Sequence, residues 1–229
     1  GACGGTPVVI SSAVPSPETC GGNNGSILVT FSGGTGPYLV SWTGGSAPGQ
    51  AGPTYNITGL TAGAYGITVT DMFSSTATSS ATILYLPVTN TTDNPDTYYA
   101  TIQAAINAAD PGEVITVCAG TYAEDIIVDE SVTILGPNSA INPCTGLRVG
   151  EAIVVPATAA INSGEIFHVA ASNVTISGFT IDGDNTALSS GYSSTNGADI
   201  DAAEGITVYE TGVNGLTVTN NIIQNLSYF

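Results

Sequence analysis

Ser131-Val-Thr-Ile-Leu-Gly136, Asn173-Val-Thr-Ile-Ser-Gly178 and Gly215-Leu-Thr-Val-Thr-Asn220 follow one another at a constant interval of 42 residues. Each is a short β-branched run that closes on Gly or Asn, so the chain extends briefly, turns and extends again. A second series has the same texture: Gly112-Glu-Val-Ile-Thr-Val117, Gly164-Glu-Ile-Phe-His-Val169 and Glu204-Gly-Ile-Thr-Val-Tyr209. Short strands recurring at a fixed period predict a solenoid, whose coils bury their apolar faces only by stacking on one another.

Around this repeat the composition narrows the possible partners. The 229 residues suit one or two domains. Lys and Arg together number 1 against 18 Asp and Glu, for a net charge of −17. Arg148 is that single strong cation. Nucleic acid and anionic membrane surfaces are recognised through several phosphate-neutralising cations, so this chain is not built for either. Hydrophobic residues make up 42% of the chain and fall in periodic runs, which argues against disorder. No apolar run is long enough to span a bilayer, so membrane insertion is not expected. The N-terminus carries no basic-then-apolar signal, so an export signal is expected to have been removed or the chain to be an internal fragment.

The cysteines, Cys3, Cys20, Cys118 and Cys144, show no Cys-x-x-Cys spacing and have no nearby His in sequence, which disfavours zinc. Disulfides in an oxidising compartment fit better, paired within each region as Cys3–Cys20 and Cys118–Cys144, with other connectivities open.

Residues 1–19 are rich in Gly, Pro and Ser and read as a linker or a strand. Residues 20–86 have all-β texture, with runs at Ser26–Phe31, Tyr38–Trp42, Tyr55–Ile57, Ala64–Thr70 and Ala77–Leu84 between turn clusters. This pattern predicts a small β-sandwich with Tyr38, Trp42, Tyr55 and Tyr65 in or against its core. Within it, Cys20-Gly-Gly-Asn-Asn-Gly-Ser-Ile27, Ser32-Gly-Gly-Thr-Gly-Pro-Tyr38, Ser41-Trp42, Ile57-Thr-Gly-Leu-Thr-Ala-Gly-Ala-Tyr65 and Thr68-Val-Thr-Asp71 resemble the SprB-type repeat. That family is an Ig-like module of large Bacteroidetes surface adhesins. The resemblance covers about residues 18–73 and implies export to the cell surface. The family usually carries a second Cys just after the Thr-Asp, where this chain has Met72-Phe-Ser-Ser75.

Residues 87–97 read as a polar linker, and residues 98–229 as the solenoid. Thr97 or Asp96 is placed to cap a helix over Tyr98–Ala109, stopped by Asp110-Pro-Gly112. The stretch from Thr101-Ile-Gln-Ala-Ala-Ile106 through Gly112-Glu-Val-Ile-Thr-Val117 to Gly120-Thr-Tyr122 resembles the opening coil of pectin-lyase-like right-handed parallel β-helices. The resemblance implies that the short N-terminal α-helix caps the first coil. An interval of 42 is too long for one plain coil of that family, so each interval is expected to hold an insertion or two coils. The variable stretches, 139–163 and 184–203, are then where binding is expected. The last repeat stands close to Phe229 with no terminal cap after it, so the coils are expected to continue or to be covered by another subunit.

The fold hosts enzymes and inert stalks alike. Lyase chemistry at a uronate needs Lys or Arg to offset the substrate carboxylate. Arg148 alone is available, and an ion pair with Glu151 accounts for it. Glycoside hydrolysis needs two carboxyl groups about 5 to 9.5 Å apart. Asp182, Asp184, Asp199, Asp201 and Glu204 provide carboxylates, without polygalacturonase-type motifs. His168 sits mid-strand and reads as outward-facing or hydrogen-bonded. Asp182, Asp184, Asp199 and Asp201 flank the 188–198 insertion and read either as solvated turn carboxylates or as hard oxygen ligands for calcium, the one cofactor to consider. Asp71, Asp93 and Asp96 form a second, sparser acidic group. The resulting expectation is a non-catalytic structural or adhesive segment of a secreted cell-surface protein or filament. Its partners would be copies of itself, further domains of the same polypeptide, glycans or other surface proteins. The alternative is a carbohydrate-active enzyme or carbohydrate-binding module.

Overall fold

The structure is a computed structural model and describes residues 6–194 and 197–227. It is all-β apart from one short helix among these residues, and it divides into two compact units, Gly1–Leu86 and Pro87–Phe229.

The first unit contains β1 (Val9–Ser16), β2 (Gly25–Ser32), β3 (Tyr38–Trp42), β4 (Gly45–Gln50), β5 (Thr54–Leu60), β6 (Gly63–Thr70) and β7 (Thr76–Ile83). They form two antiparallel sheets, ordered β1-β2-β5 and β4-β3-β6-β7. Alternation decides what each sheet buries. Along β2, Ile27, Val29 and Phe31 point inward while Leu28 is exposed. Val40, Ile67 and Val69 from the other sheet join them in one core, against which Tyr38, Trp42, Tyr55 and Tyr65 pack half-buried. The stretch that read as linker or strand contributes β1, paired along β2.

No Lys, Arg or His occurs in this unit, so its buried acids are satisfied by the backbone. Glu18 accepts from the N–H groups of Ala62 (2.7 Å) and Asn23 (3.2 Å). Asp71 accepts from Thr35 (3.1 Å), Phe73 (2.9 Å) and Ser75 (2.8 Å). N–H donors around a buried carboxylate offset the cost of burying it without a counter-ion. Asp71 therefore has a structural task, pinning the turn that presents Met72 and Phe73 to solvent.

The second unit begins with β8 (Val88–Asn90), β9 (Thr97–Tyr99) and α1 (Ile102–Ile106). It continues with β10 (Val114–Val117), β11 (Gly120–Ala123), β12 (Ile126–Val128), β13 (Thr133–Leu135), β14 (Ala152–Val155) and β15 (Ala160–Val169). The last strands are β16 (Thr175–Ser177), β17 (Phe179–Asp182), β18 (Ala202–Thr207), β19 (Thr217–Thr219) and β20 (Ile222–Gln224). From β10 onward the chain visits three sheets in rotation. The first contains β10-β13-β16-β19, the second β11-β14-β17-β20 and the third β12-β15-β18, every pair parallel. Antiparallel β8 and β9 extend the first sheet beyond β10. Alternate side chains along the strands reach the interior, and Ile115, Ile134, Ile176, Phe167, Phe179 and Ile181 are fully buried in one continuous core.

The register resolves the 42-residue interval. Thr133 pairs with Thr175, and Thr175 with Thr217, so one interval is one turn of the stack plus an insertion, and the two-coil alternative is excluded. The surplus lies at different corners: between β13 and β14 in the first interval, between β17 and β18 in the second. The second series divides. Val114–Val117 joins the first sheet beside β13, whereas the stretches at 164–169 and 204–209 belong to β15 and β18 of the third. All three sheets bury alternate β-branched residues, so texture alone does not separate them.

The helix is shorter than predicted. Thr97–Tyr99 is strand β9, and α1 starts after Thr101, whose hydroxyl accepts from Ala104 N–H at 3.1 Å. The β-forming Thr97-Tyr98-Tyr99 run gains backbone partners on β8 that a free first turn of helix would lack. Ile102, Ala105 and Ile106 pack into the core, as the helical spacing predicts. Glu124 completes the cap by accepting from Ile102 N–H (3.0 Å) and Gln103 N–H (2.9 Å), one on each carboxylate oxygen. Glu124→Ala strips two orphan donors of their acceptor and is expected to destabilise this unit by about 1–2 kcal/mol, measured by denaturant unfolding. A Glu124→Gln variant, which keeps one acceptor, should lose less.

Candidate functional site

Asp182 ends β17, and its carboxylate is occupied by neighbours. Oδ1 accepts from Asp184 N–H (3.1 Å) and the Asn225 amide (2.7 Å), and Oδ2 accepts from the Gln224 amide (2.7 Å). Asp199 organises the insertion, accepting from Ser190 N–H (3.1 Å) and the Ser190 hydroxyl (2.7 Å). That hydroxyl is the main reason its carboxyl lies below the ordinary value. Asp201 is fully buried, with Oδ2 accepting from Asn185 N–H at 3.0 Å and Oδ1 bonded to nothing. Asp184 is pushed up by burial first and then by the charges of Asp182, Asp201 and Asp199. The structure thus gathers the four predicted residues around one insertion. Among the described residues, no three His, Cys, Asp or Glu side chains converge as a metal cluster. Of the second acidic group, Asp71 is filled by backbone donors and Asp93 accepts from the Thr97 hydroxyl.

Arg148 is consumed internally. Its Nε and Nη2 meet the Glu151 carboxylate at 2.6 and 2.9 Å, a bidentate pair. Its remaining N–H groups donate to the carbonyls of Asn220 (2.8 Å), Phe179 (3.3 Å) and Ile141 (3.4 Å). The guanidinium hydrogen-bonds hold the Glu151 carboxyl below its ordinary value. Asn residues finish the same corner. Asn220, with φ +57°, donates to Ser139 O at 2.6 Å, while Asn221 accepts from Phe179 N–H and donates to Ile176 O.

Cys118 is disulfide-bonded and Cys144 is an exposed free thiol, so Cys118–Cys144 is not the bridge formed. Cys144 lies on the exposed insertion after β13, where Cys144 N–H is fixed by the Asn142 side chain. Cys20 is also disulfide-bonded, and Cys3 lies outside the described residues.

A more connected constellation stands on the outer face of the third sheet. His168 Nδ1 lies 2.8 Å from Glu165 Oε1, and Nε2 lies 2.7 Å from Glu210 Oε1. The Tyr209 ring meets the imidazole edge-on at 5.5 Å, and its hydroxyl donates to Glu204. That bond pushes the phenol up to about 12, so it is a hydrogen-bond donor at neutral pH. Beside the histidine runs a cleft of about 250 Å³, lined by Asp125, Ile126, Ile127, Gly164, Glu165 and His168. His168 is hydrogen-bonded, as its mid-strand position suggests, but its partners are not legible in the sequence: one turn on, His168 pairs with Thr207, and Glu210 lies three residues beyond that register.

Both imidazole nitrogens face carboxylates, which makes the ring an ion-pair partner with no nitrogen left to take a substrate proton. Glu165 first and Glu210 second raise the His168 pKa. A raised histidine contributes stability that is complete below its unfolded value of about 6.5 and is lost as pH rises through the folded value. The stability difference between the wild type and His168→Gln is therefore expected to be largest in mild acid and to shrink with rising pH, read from unfolding midpoints across the pH range.

Residues 12–47 match the SprB repeat family. No curated protein and no solved structure matches the chain. The SprB repeat is typical of cell-surface proteins and suggests an adhesin-type segment. Among the described residues, no helix is long and apolar enough to cross a membrane.

Proposed function

We propose that this chain is a non-catalytic structural and adhesive segment of a large secreted surface protein. Its first unit is read as an Ig-like SprB-type module and its second as a pectin-lyase-like right-handed parallel β-helix. The three-sheet rotation supports the second reading, and right-handedness is the rule for parallel crossovers. One observation carries the functional reading. The chain has one strong cation and one histidine, and both are locked in internal ion pairs. No positive group remains to offset a substrate carboxylate or an enolate-like transition state. The net charge of −17 suits a surface stalk that must resist nonspecific association.

The cleft beside His168 favours, as a second reading, carbohydrate binding without chemistry. Exposed Ile127 offers an apolar floor, and Asp125 and Glu165 offer hydrogen-bond acceptors for sugar hydroxyls.

The test is incubation of the purified chain with neutral and acidic polysaccharides, followed by assays for reducing ends and unsaturated uronates. No product is expected. Product that disappears with His168→Ala, or with Asp182→Ala and Asp184→Ala, would overturn the structural reading.

A further inference from the structure

Of the buried acids among the described residues, Glu18 and Asp71 have both carboxylate oxygens satisfied, and Asp201 does not. Glu18, Asp71, Glu124 and Asp182 each receive hydrogen bonds on the carboxylate, chiefly from backbone N–H groups or side-chain amides. Asp125 does the same, accepting from Ala157 N–H at 2.9 Å and the Thr158 hydroxyl at 3.0 Å. Asp201 is at 0% exposure, yet Oδ1 has no donor. A buried carboxylate oxygen without a partner is costly, and native proteins resolve it with a proton, a water or an ion. Arg148 and His168 have their partners elsewhere, so no side-chain cation serves this position.

The backbone fixes Asp201 firmly. Its N–H donates to Gly183 O at 2.7 Å, its C=O accepts from Ala160 N–H at 2.6 Å, and Oδ2 holds Asn185 N–H. The side chain is strapped across the Gly183–Asn185 turn, which carries Asp184 at its centre. Asp182 precedes that turn and Asp199 precedes Asp201, so negative charge gathers on one side of a site that cannot move away from it.

We propose that Asp201, together with Asp184, binds a calcium ion that anchors the 184–199 insertion to the coil stack. Calcium accepts six to eight oxygen ligands of mixed type in flexible geometry, including backbone carbonyls and water, so a two-carboxylate site is sufficient. Magnesium requires near-octahedral ligands and gives up its water reluctantly, and it binds this site more weakly. The ion supplies the positive charge that the sequence omits and satisfies the orphaned oxygen.

Equilibrium dialysis of the full chain against calcium ions, paired with thermal melts in calcium and in chelator, tests this. Saturable binding of one ion is expected, with the melting transition of the second unit raised by about 5 to 10 °C at a hundredfold excess over Kd. Asp201→Asn keeps the side-chain shape and is expected to abolish both binding and the calcium-dependent shift. Asp184→Asn is expected to weaken binding at least tenfold, and it provides the readout should Asp201→Asn fail to fold. Absence of saturable binding would overturn the proposal, as would binding unchanged in Asp201→Asn or Asp184→Asn. A wild type whose melting transition is indifferent to calcium would also overturn it.

Discussion

Arg148→Ala is expected to lower the unfolding free energy of the Pro87–Phe229 unit by about 3–5 kcal/mol, the largest effect of any single polar substitution considered. The side chain is only 10% exposed and its partner Glu151 24%, so truncation leaves a poorly solvated carboxylate without its counter-ion. It also removes the donor to three carbonyls that belong to different passes of the chain, Ile141, Phe179 and Asn220. Arg148→Lys should recover only part of the loss, because a point-like ammonium cannot make the bidentate pair and reach those carbonyls together. Denaturant unfolding of Arg148→Ala, Glu151→Gln and the double variant would show strong coupling, with the double variant less destabilised than the sum of the singles. The pH dependence has a defined sign. Glu151 is depressed when folded, so its contribution is present above the ordinary carboxylate value and fades as pH falls through the lower folded value. Arg148→Ala should remove that acid sensitivity.

Gly178→Ala comes next, with an expected loss of about 2–5 kcal/mol. Gly178 has φ +87°, in the left-handed region, where a Cβ costs about 1–2 kcal/mol. The remainder comes from the approach of the neighbouring coil. A Cβ on Gly178 would stand 2.2 Å from Ser139 N and 2.6 Å from Asn138 C, both backbone atoms that cannot turn aside. Gly112→Ala separates the two causes. Gly112 has φ +94° but nothing within 4 Å of its Cβ position, so it reports backbone strain alone. If both variants lose the same stability in parallel denaturant melts, the close approach at Gly178 contributes nothing.

These two positions show what the sequence reveals and what it conceals. The Thr133–Thr175–Thr217 register was legible because a β-branched residue follows each of these threonines, Ile134 and Ile176 buried in the core and Val218 continuing the pattern on an exposed strand. Insertion length was not legible as such, since two unrelated insertions at different corners happen to give the same interval. Arg148 was legible as an ion-pair partner of Glu151 three residues away, but its bonds to Phe179 and Asn220 depend on how coils stack. The helix boundary failed because Thr97–Tyr99 found strand partners on β8, a tertiary gain that overrides local capping signals. Asp201 was visible only as one of four acids. Its distinction, a single unsatisfied oxygen, arises from burial that no local pattern encodes.

The use of backbone N–H groups to hold acids has a consequence for the medium in which this protein functions. Surface ion pairs weaken as dissolved salt screens them, whereas short hydrogen bonds to buried carboxylates lie largely beyond the reach of mobile ions. Salt does reach the mutual repulsion of a chain with a net charge of −17, and it relieves that repulsion. Brine therefore relieves the repulsion that opposes folding and leaves the backbone bonds to the buried acids largely untouched. A scaffold stitched in this way is expected to hold its shape better in seawater than in fresh, as unfolding midpoints at low and high salt would show.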